Sequence, residues 1–526
     1  MTQEAIPANF GPMRTHAAVA RWCRRAVPGR GPWLALALCA GLACGGDDDS
    51  PAGDPDAGDS GAPGGNDDAG PAPVQLSCEA ASGDRVRVVV REHGDGSSEF
   101  VRLHDTDFAE TCAFAPAGDG AVRCLPAVDG SPFAEGAVRY SDKLCATPIA
   151  QLVAVAGEEP PTHLRELVPA ADACAGSVSV FHVLGGQLPI APDTLIFQVI
   201  AGTCTAVAAP ATDFFAITEE LPLTAFVEGS QTYSDSGRIR LAQVDGADGS
   251  RSCGASSPLI DRDLGDHPCQ LALSEDGSLR CLPEDVGPTS AFSDVLCATP
   301  IEVALVDETC NAGAAYVTDA AGAECPLLRR VRALGGAVAA PVFQVTDVCA
   351  AIAADPVAHE IGASVSPFSF AELAPRSDAP SGGDRLARVD LVSDDGLRLF
   401  AGRWVDTELE QPCDFARADD STERCLPIDS PTELTARATS LFTDELCTVP
   451  IQVGVRDPSC APGDARFVLE AAGGGRTRVY EVGPAVPGPL YQLDATCVEA
   501  AAGSSFYELG AEILAQTFVG GTDMIE

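Results

Sequence analysis

Lysine is almost absent from this 526-residue chain, in which Lys143 is the single example. The other basic residues are arginines, and 33 basic residues face 76 acidic ones, for a net charge of −43. A body this acidic repels phosphate backbones, so the composition argues against a nucleic-acid partner. The same charge keeps an exported protein soluble.

Large aromatic side chains are also scarce, with three tryptophans and six tyrosines in the whole chain. Carbohydrate binding commonly relies on exposed aromatic platforms, and Trp404 is the one tryptophan beyond the N-terminal leader. The composition therefore argues weakly against a sugar-binding module.

Signatures of catalysis are missing. The chain contains no His-Glu-x-x-His, no Gly-x-Ser-x-Gly and no P-loop. Of the seven histidines, only His104 beside Asp105 forms an adjacent pair of the kind that catalysis uses, and an exposed strand or loop histidine is the favoured interpretation. We predict no catalytic residue and no cofactor.

Metal-binding signatures are equally weak. No Cys-x-x-Cys occurs and no histidine recurs at an equivalent position, which argues against zinc. Acidic residues do recur and could supply calcium ligands, but no Asp-x-Asp-x-Asp-Gly loop is present in the modules, so capping of turns is favoured. These acidic positions are Asp105, Asp142, Asp261, Asp263, Asp294, Asp406 and Asp444.

What the chain does contain is a threefold internal repeat. Each copy has the phrase Arg-Cys-Leu-Pro, which we call the arginine motif, at 123–126, 280–283 and 424–427. A second phrase follows in each copy, at 141–149, 293–301 and 443–451, with the pattern Ser/Thr-Asp-x-Leu-Cys-x-x-Pro-Ile.

The rest of each copy favours β-structure. Short apolar and β-branched runs alternate with Gly, Pro and Asp, and the starts at 84–90 and 384–392 resemble each other. The second copy diverges after its first strand through Asp245-Gly246 and Asp248-Gly249, and the first carries an apparent insertion at 157–169. The alanine-rich segments 204–210 and 349–354 are interpreted as single helical turns, within modules that are mainly β.

The cysteine of each arginine motif lies 12 residues after another cysteine, with Asp-Gly or Asp-Asp-Ser between them. Asp-Gly favours a hairpin turn, because glycine accepts a positive φ angle. We therefore predict a disulfide across a hairpin in each module. Bonding to other partners remains the alternative.

Cysteine count and spacing predict a disulfide framework of an exported protein. Eighteen of the 21 cysteines lie beyond the leader and Cys44. The positions shared among modules leave one cysteine odd in the first and one in the third, with Cys78 free to pair inside the first module and Cys253 pairing with the third or beyond. The disulfide candidates are Cys112, Cys124, Cys145, Cys174, Cys204, Cys269, Cys281, Cys297, Cys310, Cys325, Cys349, Cys413, Cys425, Cys447, Cys460 and Cys497.

The N-terminus predicts export. An arginine-rich region precedes an apolar run at 33–43 that is too short to span a bilayer but fits a signal peptide. The sequence Gly41-Leu42-Ala43-Cys44-Gly45 resembles a bacterial lipobox, with Gly41 where that pattern prefers leucine, and makes Cys44 the lipidated residue. Cleavage at an ordinary small-residue site is the alternative, and translation could begin at Met13.

We thus divide the chain into a lipoprotein signal peptide (1–43), a disordered tether rich in Gly, Asp and Pro (44–74), and three tandem disulfide-stabilised β-modules (75–228, 229–375 and 376–526). The lipid at Cys44 would make a membrane the N-terminal partner. Bacterial sorting rules, with Gly45 after the cysteine, favour the outer membrane.

The leader, the tether and the repeated phrases together resemble lipoproteins of unknown function found in myxobacteria. The phrase Tyr507-Glu508-Leu509-Gly510-Ala511-Glu512-Ile513 adds to the resemblance, which spans most of residues 34–526. It implies a location and an organisation, and it carries no catalytic residues to transfer.

The sequence therefore favours a non-enzymatic lipoprotein of the cell envelope that acts as a structural or binding module. A protein ligand is an open possibility, because β-modules offer strand edges to partners. The alternatives are an exported hydrolase with a site between modules and a calcium-stabilised adhesin.

Overall fold

The computed structural model describes most of the chain beyond the tether. The predicted leader, Cys44 and the tether lie outside the described residues, as do Cys78, Cys174, Cys325 and Cys460. The described residues are 80–127, 132–152, 160–170, 176–200, 202–234, 237–253, 259–283, 285–307, 309–311, 313–321, 327–339, 341–345, 348–352, 356–377, 383–428, 435–456, 465–493, 496–500 and 504–526.

Throughout these segments the regular elements are β-strands and short 3-10 turns, which confirms the prediction of a mainly β protein with three disulfide-stabilised modules. The helical turns predicted for the alanine-rich segments are wrong: Thr203–Ala208 and Cys349–Ala351 are strands, each paired with the strand before it. Pairing in the hairpin overrides the weak helix propensity of these short segments. Nowhere in the described part is there a helix suited to crossing a membrane.

Sixteen strands form one continuous sheet, which we call the ring. Each module gives it a meander of strands and, much later in the chain, a return strand. In the first module these are β1 (Val86–His93), β2 (Ser98–Asp105), β3 (Glu110–Pro116), β4 (Val122–Pro126) and the return strand β12 (Glu228–Tyr233). The second gives β13 (Ile239–Gly246), β14 (Arg251–Ser252), β15 (Leu259–Asp261), β16 (His267–Leu273), β17 (Leu279–Pro283) and the return strand β25 (Leu373–Ser377). The third gives β26 (Leu386–Ser393), β27 (Arg398–Asp406), β28 (Gln411–Arg417), β29 (Glu423–Pro427) and the return strand β37 (Gly520–Ile525).

The ring closes on itself with threefold cyclic order. Each return strand lies between the last meander strand of its own module and the first strand of the next, and β37 pairs with β29 and with β1. The third junction, at the ends of the sheet path, is made by an antiparallel bridge between Arg280 and Glu372 and by the Cys281 amide bonded to the Ala371 carbonyl over 2.9 Å. The first and last described strands therefore pair in the sheet, and none of the three modules completes its part of the ring alone.

Between the meander and the return strand, each module inserts a small β-barrel with an extra hairpin, which we call the outer barrel. In the first module, five strands close it through a parallel pairing of β5 with β7. The strands of the first outer barrel are β5 (Phe133–Tyr140), β6 (Pro148–Leu152), β7 (His163–Pro169), β8 (Ser177–Leu188), β9 (Leu195–Ile200), β10 (Thr203–Ala208) and β11 (Asp213–Leu221).

The other two outer barrels repeat this plan, the second closing through a parallel bridge between Val286 and Val317. The second contains β18 (Pro288–Phe292), β19 (Pro300–Val306), β20 (Tyr316–Ala320), β21 (Arg329–Ala337), β22 (Phe343–Val345), β23 (Cys349–Ala351) and β24 (Val357–Ser364). The third contains β30 (Thr435–Phe442), β31 (Pro450–Arg456), β32 (Phe467–Ala472), β33 (Arg476–Ala485), β34 (Tyr491–Leu493), β35 (Cys497–Glu499) and β36 (Ser505–Ile513).

The segment 157–169 is predicted from the sequence to be an insertion in the first module, but its residues 163–169 form strand β7. It pairs with β8 as β20 pairs with β21 and β32 with β33, so residues 163–169 are a strand that every module has. The sequences of these three strands differ too much for the equivalence to be visible without the pairing.

Apolar clusters fill the ring and its contacts with the outer barrels. A leucine from each arginine motif packs with a phenylalanine that follows a 3-10 turn: Leu125 with Phe226, Leu282 with Phe370, and Leu426 with Phe518. The 3-10 turns are Leu223–Ala225, Pro367–Ser369 and Ala515–Thr517, and a further one is Arg262–Leu264. Each outer barrel is thus held to the ring by the same buried contact.

Candidate functional site

The arginine motif is a structural junction in which each residue has a separate role. The Arg280 guanidinium is 3 % exposed and donates to the Phe370 carbonyl over 3.0 Å, to Asp276 over 2.8 Å and to Glu372 over 3.0 Å. Arg123 and Arg424 make the equivalent bonds to the Phe226 and Phe518 carbonyls. The arginine therefore ties the meander to the return strand beside the ring–barrel contact, and no guanidinium of the three is left for a ligand.

The cysteine of each motif forms a bridge across its hairpin. The bonds are Cys112–Cys124, Cys269–Cys281 and Cys413–Cys425, each with a sequence separation of 12. The turns contain the positive-φ residues that the Asp-Gly signal predicts, Gly120 and Gly277, while Ser421 takes this conformation in the third module. These are the hairpin pairs that the equal spacing favours over other partners.

A second bridge in each module joins the Ser/Thr-Asp-x-Leu-Cys loop to the extra hairpin of the outer barrel. These bonds are Cys145–Cys204, Cys297–Cys349 and Cys447–Cys497. Their separations of 59, 52 and 50 residues differ, so spacing gives no signal for them. Cys253 and Cys310 are also disulfide-bonded. The four described cysteines of the third module bond among themselves, so none of them is the partner predicted there for Cys253.

The acidic residues that offered calcium ligands at the ends of β2, β15 and β27 are instead bound by arginine. Asp105, Asp261 and Asp406 are almost fully buried, and each receives two hydrogen bonds from one guanidinium. The arginines are Arg85, Arg238 and Arg385, at distances of 2.6–2.8 Å. A bidentate pair of this kind satisfies the carboxylate without a metal.

A second set of aspartates joins the modules in a cycle. Asp95, in the β1–β2 turn of the first module, accepts hydrogen bonds from the Arg385 and Leu386 amides that open the third. Asp395 of the third module accepts from the Arg238 and Ile239 amides of the second. Asp248 of the second accepts from the Arg85 and Val86 amides of the first, over 3.1 and 2.7 Å. The turn Asp248-Gly249, where the sequence of the second module diverges, is therefore the equivalent of the other two.

These bonds lower the pKa of each capping aspartate. For Asp95, burial opposes the change, but hydrogen bonds from the Leu386 amide and from Ser97 outweigh it and lower the pKa. The pKa values of Asp248 and Asp395 are lowered for the same reasons. All three carboxylates are therefore held ionised by the amides that they cap.

One buried cluster is not repeated. His93, at the end of β1, stacks on Phe415 with ring centroids 4.2 Å apart and meets the edge of Trp404 at 4.8 Å. Trp404 donates from Nε1 to Glu99 over 3.0 Å. The positions equivalent to His93 are Gly246 and Ser393, because all three amides bond across the same turn. The first module thus inserts a histidine into an aromatic pocket of the third.

His93 lies beside a serine, as a catalytic histidine can, but both side chains are buried. Its Nδ1 lies 2.8 Å from Ser97 Oγ, and burial lowers its pKa to about 4. Both residues are 5 % exposed or less. A substrate cannot reach this pair, so we assign it to the junction between the first and third modules.

Among the remaining described histidines, His163 lies in β7 and His182 in the neighbouring strand β8, where His182 Nε2 is 3.5 Å from Glu166. The carboxylate of Asp105 is bound by Arg85, so His104 beside it has no acid partner there. His267 is hydrogen-bonded to Asp285, and His359 contacts the Gly335 carbonyl over 3.0 Å. A cavity of about 150 Å³ lies between the ring and the outer barrel of the third module, and its lining includes Asp419 and Arg478, which pair over 3.2 Å. No histidine or cysteine lines it.

A loop that is exposed in all three modules carries Cys145 in the first, Cys297 in the second and Cys447 in the third. In the first module the Asp142 carboxylate accepts from the Leu144, Ala146 and Thr147 amides over 2.9, 3.1 and 2.6 Å. Asp294 and Asp444 cap their loops similarly. These aspartates are thus turn caps, as the sequence favours.

Each capped loop presents a leucine to solvent, and we call these three residues the leucine tips. Leu144, Leu296 and Leu446 are 77 %, 81 % and 79 % exposed. These exposed leucines recur in every module just as the packed leucines of the arginine motifs do, so the sequence does not separate the two sets.

Across the described segments, no group of three or more His, Cys, Asp or Glu side chains is arranged to hold a metal ion. The fold and its bonds define an all-β repeat protein, closed in a ring and stabilised by disulfides. The family of unknown function DUF7481 matches residues 130–370 and 366–519, and the chain belongs to this family. No curated protein and no solved structure matches the chain.

Proposed function

We propose that the protein is a non-enzymatic lipoprotein of the cell envelope, anchored through Cys44 and acting as a structural or binding module. The observation that carries the proposal is the fate of the repeated polar residues. The arginine motifs, the arginine–aspartate pairs and the capping aspartates are all occupied by bonds within the fold. Leu144, Leu296 and Leu446 are repeated and exposed, which suits contact with a partner better than chemistry.

The N-terminal sequence supports the anchored location. An apolar run and a lipobox-like sequence precede Cys44, and the acidic, glycine-rich tether separates this residue from the first strand. Membership in the disulfide-stabilised class agrees with export to an oxidising compartment. The outer membrane is the destination that Gly45 after the cysteine favours.

Fractionation of cells that produce Cys44→Ala tests the anchor, with Cys39→Ala, in the leader, as the matched control. We expect wild-type protein and Cys39→Ala to enter the outer-membrane fraction and to incorporate labelled fatty acid, and Cys44→Ala to do neither. Labelled Cys44→Ala protein in that fraction would contradict the proposal.

The hydrolase alternative has one specific contact in its favour, the Ser97–His93 pair. Its burial argues against it, and a serine-reactive fluorophosphonate probe tests this directly. We expect no labelling of the native protein. Labelling that disappears in Ser97→Ala would favour the hydrolase.

A further inference from the structure

The leucine tips are the feature of the molecule that its own fold does not explain. A residue kept at an equivalent position in all three modules normally packs, yet these side chains are 77–81 % exposed. The residue before each leucine changes from lysine to valine to glutamate, at Lys143, Val295 and Glu445. The repeat thus keeps the leucine while the residue before it varies in charge and polarity.

The tips lie at the ends of the outer barrels that are remote from the ring. Strands β5, β18 and β30 follow the arginine motifs at the ring and run to the capped loops. A strand of eight residues, such as β30, spans about 26 Å. Because cyclic symmetry places equivalent points at one height along its axis, the threefold ring sets the three tips in one plane.

Each tip can also be buried in an apolar medium without leaving the bonded loop amides unsatisfied. The loop amides already bond to Asp142 or its equivalents, and the disulfide fixes the loop to the neighbouring hairpin. Burial therefore leaves these amides satisfied, which is the condition for placing backbone in a lipid environment. Exposed apolar residues on the hairpins surround the tips, namely Val199, Ile200, Val345, Val348, Leu493 and Val498.

We propose that the three leucine tips insert together into the surface of a zwitterionic lipid bilayer. A bilayer needs only apolar side chains at one height, and the loop amides behind them are already bound to Asp142, Asp294 and Asp444, so the tips can leave water without polar groups from a partner. The net charge of −43 disfavours both an anionic surface and a second copy of the chain.

This inference rests on the proposed function, because the lipid anchor brings the tips to the membrane. The sequence predicts a flexible tether at 44–74, and a flexible chain of that length has a root-mean-square span of roughly 30 Å. That span keeps the anchored molecule close to the bilayer. Leucine insertion then adds contacts to an attachment that already exists.

Fluorescence in vesicles tests the proposal. The exported, lipid-bearing protein is anchored in phosphatidylcholine vesicles whose acyl chains are brominated, and single variants Leu144→Trp, Leu296→Trp and Leu446→Trp report on the tips. Leu514→Trp is the matched control, since Leu514 is 70 % exposed but lies at the ring end of the third outer barrel. We expect quenching at all three tips and none at residue 514.

Replacing tip leucines by serine gives a second measurement. Transfer of the anchored protein between vesicles should speed up about tenfold for each leucine removed, the scale of burying one such side chain. Because the tips are exposed, these variants should fold as the wild type does.

The outcomes separate the two proposals. Protein that floats with the vesicles but shows no tip quenching overturns the insertion and leaves the anchor standing. Protein that does not float overturns both. A blue shift of the tip tryptophans that appears without vesicles and grows with protein concentration assigns the tips to contact between copies, which also overturns the insertion.

Discussion

Trp404 and Glu99, 305 residues apart in the chain, share a buried hydrogen bond of 3.0 Å between the indole Nε1 and a carboxylate oxygen. The bond crosses from the third module to the first, beside the stacked ring of His93. It makes the closure of the ring measurable, because Trp404 is the one tryptophan outside the leader.

Replacing Trp404 by phenylalanine should destabilise the protein by about 1–3 kcal/mol, because a buried carboxylate oxygen loses its donor. Urea unfolding followed by circular dichroism measures this loss. In a double-mutant cycle with Glu99→Leu, which removes the acceptor, we expect the two effects to be strongly non-additive. Simple additivity would show that the two side chains are not coupled.

The stability of the ring should fall as the pH drops from 6.5 to 4. Burial, the largest cause, lowers the pKa of His93 from 6.5 to about 4, so in this window the unfolded chain binds a proton at His93 that the native protein does not. The stabilisation is complete above pH 6.5 and is lost on acidification. The charged groups that face His93 are Asp95, Arg91, Asp523 and Glu99.

Urea midpoints of wild type and His93→Gln at several pH values measure this effect through Trp404 fluorescence. We expect a weaker dependence in His93→Gln between pH 6.5 and 4. Below that range both proteins should weaken alike, because the aspartates with lowered pKa then take up protons. If the urea midpoints of the two proteins changed in parallel at every pH, His93 would not be the cause of the pH dependence.

The three capping aspartates should contribute equally to the free energy of unfolding. Asp95→Ala, Asp248→Ala and Asp395→Ala should each cost about 2 kcal/mol, since each removes a charged acceptor from two amides. Asp394→Ala, beside one of the caps, is the control and should change the free energy of unfolding by less than about 0.5 kcal/mol. A large cost confined to one of the three would argue against the cyclic scheme.

Reduction should proceed in two stages. Cys124, Cys281 and Cys425 are 0 % exposed, whereas the second set of bridges lies at solvent-exposed loops. A mild reductant under native conditions should therefore open Cys145–Cys204, Cys297–Cys349 and Cys447–Cys497 first. Alkylation and mass mapping over time give the order, and early loss of the hairpin bridges would contradict it.

Loss of a hairpin bridge should still be costly. The double variant Cys112→Ser/Cys124→Ser should lose about 3 kcal/mol in the chain-entropy view of a short closed loop. Unfolding in urea measures the difference, with Cys145→Ser/Cys204→Ser as the comparison from the outer barrel.

Chelation should leave the melting temperature unchanged. The carboxylates that resemble calcium ligands in sequence, such as Asp105 and Asp406, are bound by Arg85 and Arg385. Scanning calorimetry with EDTA and with added calcium checks this point. A fall with EDTA that calcium restores would revive the calcium-stabilised adhesin.

Sequence reasoning succeeded where the signal is local. The β-character, the repeat and the hairpin bridge at Cys112–Cys124 follow from alternation, turn residues and a fixed spacing of 12. It failed where context decides the conformation. The alanine-rich segment around Cys204 becomes a strand because it pairs with β9, and β7 is hidden by a sequence unlike that of its counterparts.

The long-range features had no sequence signal. His93 is singled out only by Trp404 and Phe415, more than 300 residues away, and 290 and 291 residues separate Asp95 from the two amides that it caps. The exposure of the leucines could not be predicted from the sequence either. Leu144 and Leu125 both belong to repeated phrases, but the first is exposed and the second is buried.

The cyclic order of the capping aspartates also orders events in time. A chain that is synthesised from its N-terminus presents the first module first, but β1 pairs with the last described strand, β37. The amides that open the first module can bond to Asp248 only after the second module has been made. Asp95 can bond to its amides only after the third module has been made. The first module therefore cannot complete its strand pairing until β37 of the third module has been made.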